Sequence, residues 1–239
     1  MKLNRQSNIY TVVYIIIMVV VVGAALAYTS MALSERQGEN ERADKMRQIL
    51  ASIHVVPAAG EKPAEVFDWY IAEQKVLDAS GQVVDGENAF DIDVAQQSKL
   101  PSDKRLLPLF VADVDGATKY IIPMSGTGLW GPIWGYISID ADGTTVYGAY
   151  FAHKGETPGL GAEIDKPQFC NSFDGKHVIK DGVFQPISVV KPGMRPTGNE
   201  DYVDGISGGT ITSKGVSAML DNCLVPYRAF LSAVNREKN

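Results

Sequence analysis

A chain of 239 residues with 45% hydrophobic and 21% charged side chains has an ordinary globular composition, which excludes wholesale disorder and low-complexity fibres. The net charge of −6 lacks the basic footprint that nucleic-acid binders show. Two cysteines, Cys170 and Cys223, and three histidines exclude a disulfide-dense scaffold, an all-cysteine zinc site and a four-thiolate iron–sulfur cluster. Any chemistry must come from an organic cofactor or from ordinary side chains.

Residues 9–33 carry no charge and include the run from Ile15 to Val22. At about 1.5 Å per residue, a helix over this stretch exceeds the roughly 30 Å hydrocarbon core, so it is expected to span a membrane. Ala25-Leu26-Ala27 resembles a signal-peptide cleavage site, but the apolar stretch is longer than the roughly 7–15 residues of a signal core. Lys2 and Arg5 precede it with no acid among residues 1–8, which places that end in the cytoplasm and the remainder outside. Without those two cations the rest of the chain carries −8, suited to a water-facing domain.

Residues 34–60 read as a juxtamembrane arm. Glu, Arg, Lys and Gln alternate with Ala43, Met46, Ile49 and Leu50 at helical spacing, and the helix breaks near Val55 to Gly60. Glu65 to Leu77 reads as helix, Gly81 to Gly86 as turn and strand, and Asp91 to Pro108 as loop with a short helix. Strands follow over Leu106–Ala112 and Tyr120–Met124. Trp134–Asp140 and Val146–Ala152 flank the turn Asp140-Ala141-Asp142-Gly143-Thr144, as in an antiparallel hairpin. Glu163 to Phe173 reads as helix, and Lys176 to Val190 as short strands around Asp181-Gly182. Lys191 to Gly198 reads as loop. Val216, Met219, Leu220, Cys223, Tyr227, Phe230, Leu231 and Val234 form the best-patterned helix, with a kink expected at Pro226. The fold class is α+β: one N-terminal membrane helix, then residues 61–239 as an antiparallel sheet with flanking helices.

Two glycine-rich segments stand out: Gly155-Glu156-Thr157-Pro158-Gly159-Leu160-Gly161 after the hairpin, and Asp204 to Ser213 before the C-terminal helix. Glycine lets backbone approach a ligand, and a helix start offers free N–H donors, so Ser207-Gly208-Gly209-Thr210 suits a phosphate. A glycine turn that merely caps a helix has the same pattern. It is not a P-loop, because the Gly-Lys-Ser/Thr ending is missing. His153 and Glu156 lie three apart without a third ligand, so no metal site is assigned. Cys170 and Cys223 read equally as a disulfide or as buried thiols.

These segments resemble the FMN-binding domain of bacterial respiratory flavoprotein subunits, and within it the C-type subunits of sodium-translocating NADH:quinone oxidoreductases. The likeness rests on the anchor, the charged arm Leu33 to Asn40, Gly126-Thr127-Gly128-Leu129-Trp130, His153 to Gly161, and Asp204 to Thr210. The resemblance implies FMN held covalently on Thr210 through a phosphoester, attached by a separate flavin transferase. It also implies Ser207, Gly208, Gly209, Thr157, Leu160 and Trp130 around the flavin. It further implies the other subunits of the complex as partners, and single-pass residence in a bacterial inner membrane with the domain on the periplasmic side. One departure is Gly209, where the family usually has Ala. The G-type subunit of Rnf-type ferredoxin:NAD oxidoreductases, and an anchored binding or assembly module without flavin, are the alternatives. The absence of a dinucleotide fingerprint assigns NADH to another subunit.

Overall fold

The computed structural model describes residues 8–238. Lys2 and Arg5, which carry the topology signal, lie outside the described residues. The chain divides into two compact units, residues 1–45 and 46–239.

Helix α1, Asn8–Ala51, runs through the apolar stretch and the charged arm without a break. Its most apolar 18-residue window has a mean hydropathy of 2.7, and that window is not buried within the chain. Thr29 returns its hydroxyl to the Ala25 carbonyl at 2.8 Å, so even this polar side chain makes no demand on its surroundings. The second unit begins in the last turns of α1. Ile49 and Leu50 are fully buried there, which explains why the division falls before Met46.

Helix α2, Pro63–Tyr70, starts on a proline whose missing N–H costs nothing at that position. It stops at Tyr70, and strand β1, Ile71–Leu77, follows directly. The helical reading of Glu65 to Leu77 therefore holds only for its first half. Helix propensity is a weak preference, and pairing β1 with β2 buries Val76 and Leu77 almost completely. Gly81 to Gly86 forms a turn with one isolated bridge, Leu77 to Val83, and no strand. Helix α3 is the single turn Val94–Gln97. Strands β2 (Leu107–Val114), β3 (Ala117–Thr127), β4 (Pro132–Asp140) and β5 (Val146–His153) complete an antiparallel sheet in sequence order, with β4 and β5 paired as the expected hairpin.

Both faces of this sheet are covered. Ile133, Ile137 and Ile139 of β4 face one core with Ile122, Met124 and Phe151. Tyr136, on the opposite parity, faces a second core with Phe110, Ile121, Phe67, Ile49 and Leu50. Strand alternation alone creates these two faces, and full burial of each large side chain contributes roughly 1.5–3 kcal/mol.

After β5 the expected helix over Glu163 to Phe173 is broken into a 3₁₀ turn at Gly161–Asp165, a short α4 at Pro167–Cys170 and a second 3₁₀ turn. Pro167 cannot donate to the turn before it, so the helix restarts there. β6 (Ile179–Lys180) and β7 (Val183–Phe184) pair across Asp181-Gly182, both at positive φ, as a tight hairpin requires. β8 (Ser188–Val190) pairs in parallel with β9 (Tyr202–Asp204), a strand too short to announce itself. Helix α5, Thr210–Leu224, is separated from α6, Arg228–Lys238, by a 3₁₀ turn holding Pro226. Tyr227 at this break donates its hydroxyl to the Pro108 carbonyl at 2.7 Å. Arg105 fastens the other side of α5. Its buried guanidinium donates to the carbonyls of Ser98, Leu100 and Asn222 and to the Asn222 side chain. A cation at a helix C-terminus also complements the helix dipole.

Candidate functional site

Three loops meet at the N-terminus of α5. The first joins β3 to β4 and contains Gly128 to Gly131, closed by Gly128 N–H to the Gly131 carbonyl at 2.8 Å. The second runs from β5 through Glu156 to Gly161, with Leu160 N–H and Ala162 N–H both donating to the Thr157 carbonyl. The third runs from β9 to Thr210, the first residue of α5.

Glu156 holds them together. It is 5% exposed; Oε1 accepts from Trp130 N–H at 2.8 Å and Oε2 accepts from the Thr212 hydroxyl at 2.6 Å. Its own N–H donates to His153 Nδ1 at 3.2 Å, and His153 Nε2 lies 3.5 Å from Asp165 Oδ2. Glycines flank the carboxyl group on both sides. A Cβ at Gly128 would lie 2.5 Å from Oε1, and one at Gly161 would lie 2.5 Å from Oε2 and would clash with the Thr212 hydroxyl. The two glycine motifs therefore leave room for one buried acid.

Thr210 is exposed at the helix start, where Gly209 caps the helix without a side chain. The first N–H groups of a helix have no intrahelical acceptor and carry positive potential. Gly208 has φ +77, and a Cβ there would lie 2.6 Å from Leu160 Cδ2, so the second loop touches the third at this glycine. Gly209 is closely approached as well: a Cβ there would lie 3.1–3.2 Å from the Ile206 side chain and the Gly161 nitrogen. Leu160 and Trp130 are 42% and 69% exposed, and with Leu129 and Ile211 they leave large apolar side chains at the surface of these loops and of the first turn of α5. Ser207 and Thr157 are exposed. Ser207 lines a cleft of about 670 Å³ with Asp204. Thr210 lines a neighbouring cleft of about 280 Å³, and the two clefts share Pro192, Gly205 and Ile206.

Cys170 and Cys223 are both buried free thiols. Burial pushes the Cys170 thiol up to about 11 and raises Cys223 as well, so neither is poised for redox chemistry.

Residues 128–225, from the first loop through α5, match the model of the FMN-binding domain. The C-type subunit of the Na(+)-translocating NADH-quinone reductase of Vibrio vulnificus is 34% identical, with 84% of this chain and 87% of that protein aligned. The chain belongs to this family of C-type subunits. A crystal structure of the family member from Parabacteroides distasonis is 49% identical and superposes with a TM-score of 0.77, covering 83% of this chain and 96% of that one. The Shewanella oneidensis NqrC crystal structure, 24% identical with a TM-score of 0.69 over 83% of this chain and 99% of that one, shares the fold. As a family member the chain is an electron-transfer subunit of the sodium-translocating NADH-quinone reductase, an oxidoreductase complex, and the three converging loops belong to its FMN-binding domain.

The second and third loops stand out in the sequence as glycine-rich segments and the first enters through the family resemblance, but Glu156 and Thr212 as the link between them are not visible there. In the sequence Glu156 stands out only as a metal-ligand candidate beside His153. An acid in a glycine-rich loop ordinarily faces solvent, and nothing local marks this one as buried.

The site fits FMN. A helix start without a side-chain cap and a glycine cradle suit a phosphoryl group, and exposed apolar side chains suit the ring system.

Proposed function

We propose that this chain relays electrons through FMN bound covalently to Thr210 by a phosphoester. The domain lies on the periplasmic side of a bacterial inner membrane and exchanges electrons with other subunits of the complex. The observation that carries the reading is the position of Thr210. It is the exposed first residue of α5, approached over Gly208 and Gly209, and it opens into a cleft. Bound FMN would supply reversible electron-transfer chemistry. Around it, the backbone of Ser207, Gly208 and Gly209 would approach the phosphoryl group. Leu160 and Trp130 would offer apolar surface to the ring, and Thr157 a polar contact.

A threonine hydroxyl is too weak an acid to attack phosphorus unaided. A flavin transferase therefore supplies the base and metal. The Thr210 oxygen forms its bond to the FMN phosphorus of FAD as the anhydride bond breaks. AMP departs, and the hydroxyl proton passes to the transferase.

Thr210→Ala removes the acceptor oxygen from an exposed position, so the chain should fold yet lose all flavin fluorescence on a denaturing gel. Thr212→Ser, which keeps the hydroxyl that donates to Glu156, should retain it. A fluorescent band on Thr210→Ala would sink the assignment.

A further inference from the structure

The cleft beside Thr210 has an unusual charge pattern. Its lining includes Lys191, Arg195 and Lys214 and contains no acidic side chain. None of these three cations has an ion-pair partner among the described residues, although the protein as a whole is acidic. The neighbouring larger cleft differs: there Lys166 and Lys176 share the lining with Glu163 and Asp204. Of the two clefts, positive charge without internal compensation is thus confined to the one where the reactive hydroxyl stands. At about 280 Å³ this cleft falls below the roughly 300–1,000 Å³ of sites that enclose a whole drug-sized ligand. It suits a small, highly charged part of one.

Resting on the assignment of Thr210 above, we propose that this cleft is a diphosphate site. Lys191, Arg195 and Lys214 receive the anhydride-linked phosphoryl groups of the flavin dinucleotide during attachment. The modified chain, and not the transferase alone, then supplies part of the positive field in which the Thr210 oxygen–phosphorus bond forms and the phosphorus–AMP oxygen bond breaks. The negative charge that builds on the departing AMP phosphate falls beside these cations, where positive charge is most effective. All three side chains are exposed, so each contact is partly screened and works with the others rather than alone.

The test uses the full-length chain in detergent with purified flavin transferase, Mg²⁺ and FAD, and follows the fluorescent band with time. The triple variant Lys191→Gln/Arg195→Gln/Lys214→Gln should incorporate flavin roughly tenfold more slowly, the combined effect of three partly screened contacts. Added salt should slow the unaltered chain more than the triple variant. Arg195→Lys with Lys214→Arg should restore most of the rate, and Lys104→Gln, outside the cleft, should leave it unchanged. An unchanged melting temperature checks folding, and the single variant Lys214→Gln provides a milder form of the same test.

Equal incorporation rates with equal salt dependence would overturn the proposal. So would equal rates accompanied by faster hydrolysis of the finished ester, which would assign the cations to the product. A labelled Thr210→Ala chain, or an unlabelled parent, would instead remove the attachment reading on which the proposal rests.

Discussion

Cutting Glu156 back to alanine would leave the Trp130 N–H and the Thr212 hydroxyl without their acceptor and open space between two glycines. Stranding such groups costs about 1–3 kcal/mol each when water cannot replace the partner, and Trp130 lies near solvent. Glu156→Ala should therefore destabilise the domain by about 2 kcal/mol. Thermal unfolding should register this as a fall of roughly 4–8 °C for a unit of this size. Glu156→Gln should recover most of the loss. Its amide oxygen still accepts from Trp130, and its NH₂ donates to the Thr212 oxygen, which both accepts and donates. If the glutamine variant melts as low as the alanine variant, the hydrogen bonds are not what the acid contributes. The glycines at 128 and 161 are plain in the sequence but their reason is not, because that reason is a side chain 28 and 5 residues away that arrives only in the folded chain.

Among the elements, the pair β8–β9 delivers the motif loop to α5, and Asp201 secures its entry. Asp201 Oδ2 accepts from His177 N–H and from His177 Nδ1–H at 2.9 Å, and Oδ1 accepts from Lys180 Nζ at 2.8 Å. Burial by itself would raise the pKa of this carboxyl, but the hydrogen bonds from Lys180 and His177 overcome that and hold it at about 2. A depressed carboxyl contributes stability in full above its unfolded value of about 3.9 and loses it as pH falls through the folded value. Asp201→Asn should thus cost roughly 1–2 kcal/mol at neutral pH, and its deficit against the parent should shrink between about pH 4 and pH 2. A constant deficit across that range, followed by thermal unfolding, would disprove the ionic contribution. Elements with their own period are legible in the sequence: α1, the β4–β5 hairpin, and α5–α6 with the break at Pro226. β1 and β9 are not. β1 carries no strong alternation and takes its form from pairing with β2. β9 is three residues long and exists through its parallel partner β8.

For the whole molecule, orientation across the membrane decides which compartment the FMN-binding domain faces. Residues 9–33 present large apolar side chains that are mostly exposed within the chain, as a lipid environment would accommodate. With Lys2 and Arg5 on the short side, a periplasm-active reporter fused after Asn239 should be active, and a cytoplasm-active one silent. The reverse pattern would place the domain in the cytoplasm. Adding Lys–Arg pairs just after Leu33 should weaken the preference for the expected orientation.

Sequence alone determined the membrane-length helix, the strand pattern of the sheet's second half, and the presentation of Thr210 on a glycine turn ahead of an amphipathic helix. Each is written in local periodicity or in the steric freedom of a few adjacent residues. Tertiary structure alone decided that the sheet is covered on both faces, that β1 is a strand, and that the three glycine loops converge. The contacts that join those loops run from Glu156 to partners 26 and 56 positions away in the chain. No local pattern encodes such a distance. The sheet order places β3, β4 and β5 side by side, their loops then share one end, and α5 packs its first turn against that end.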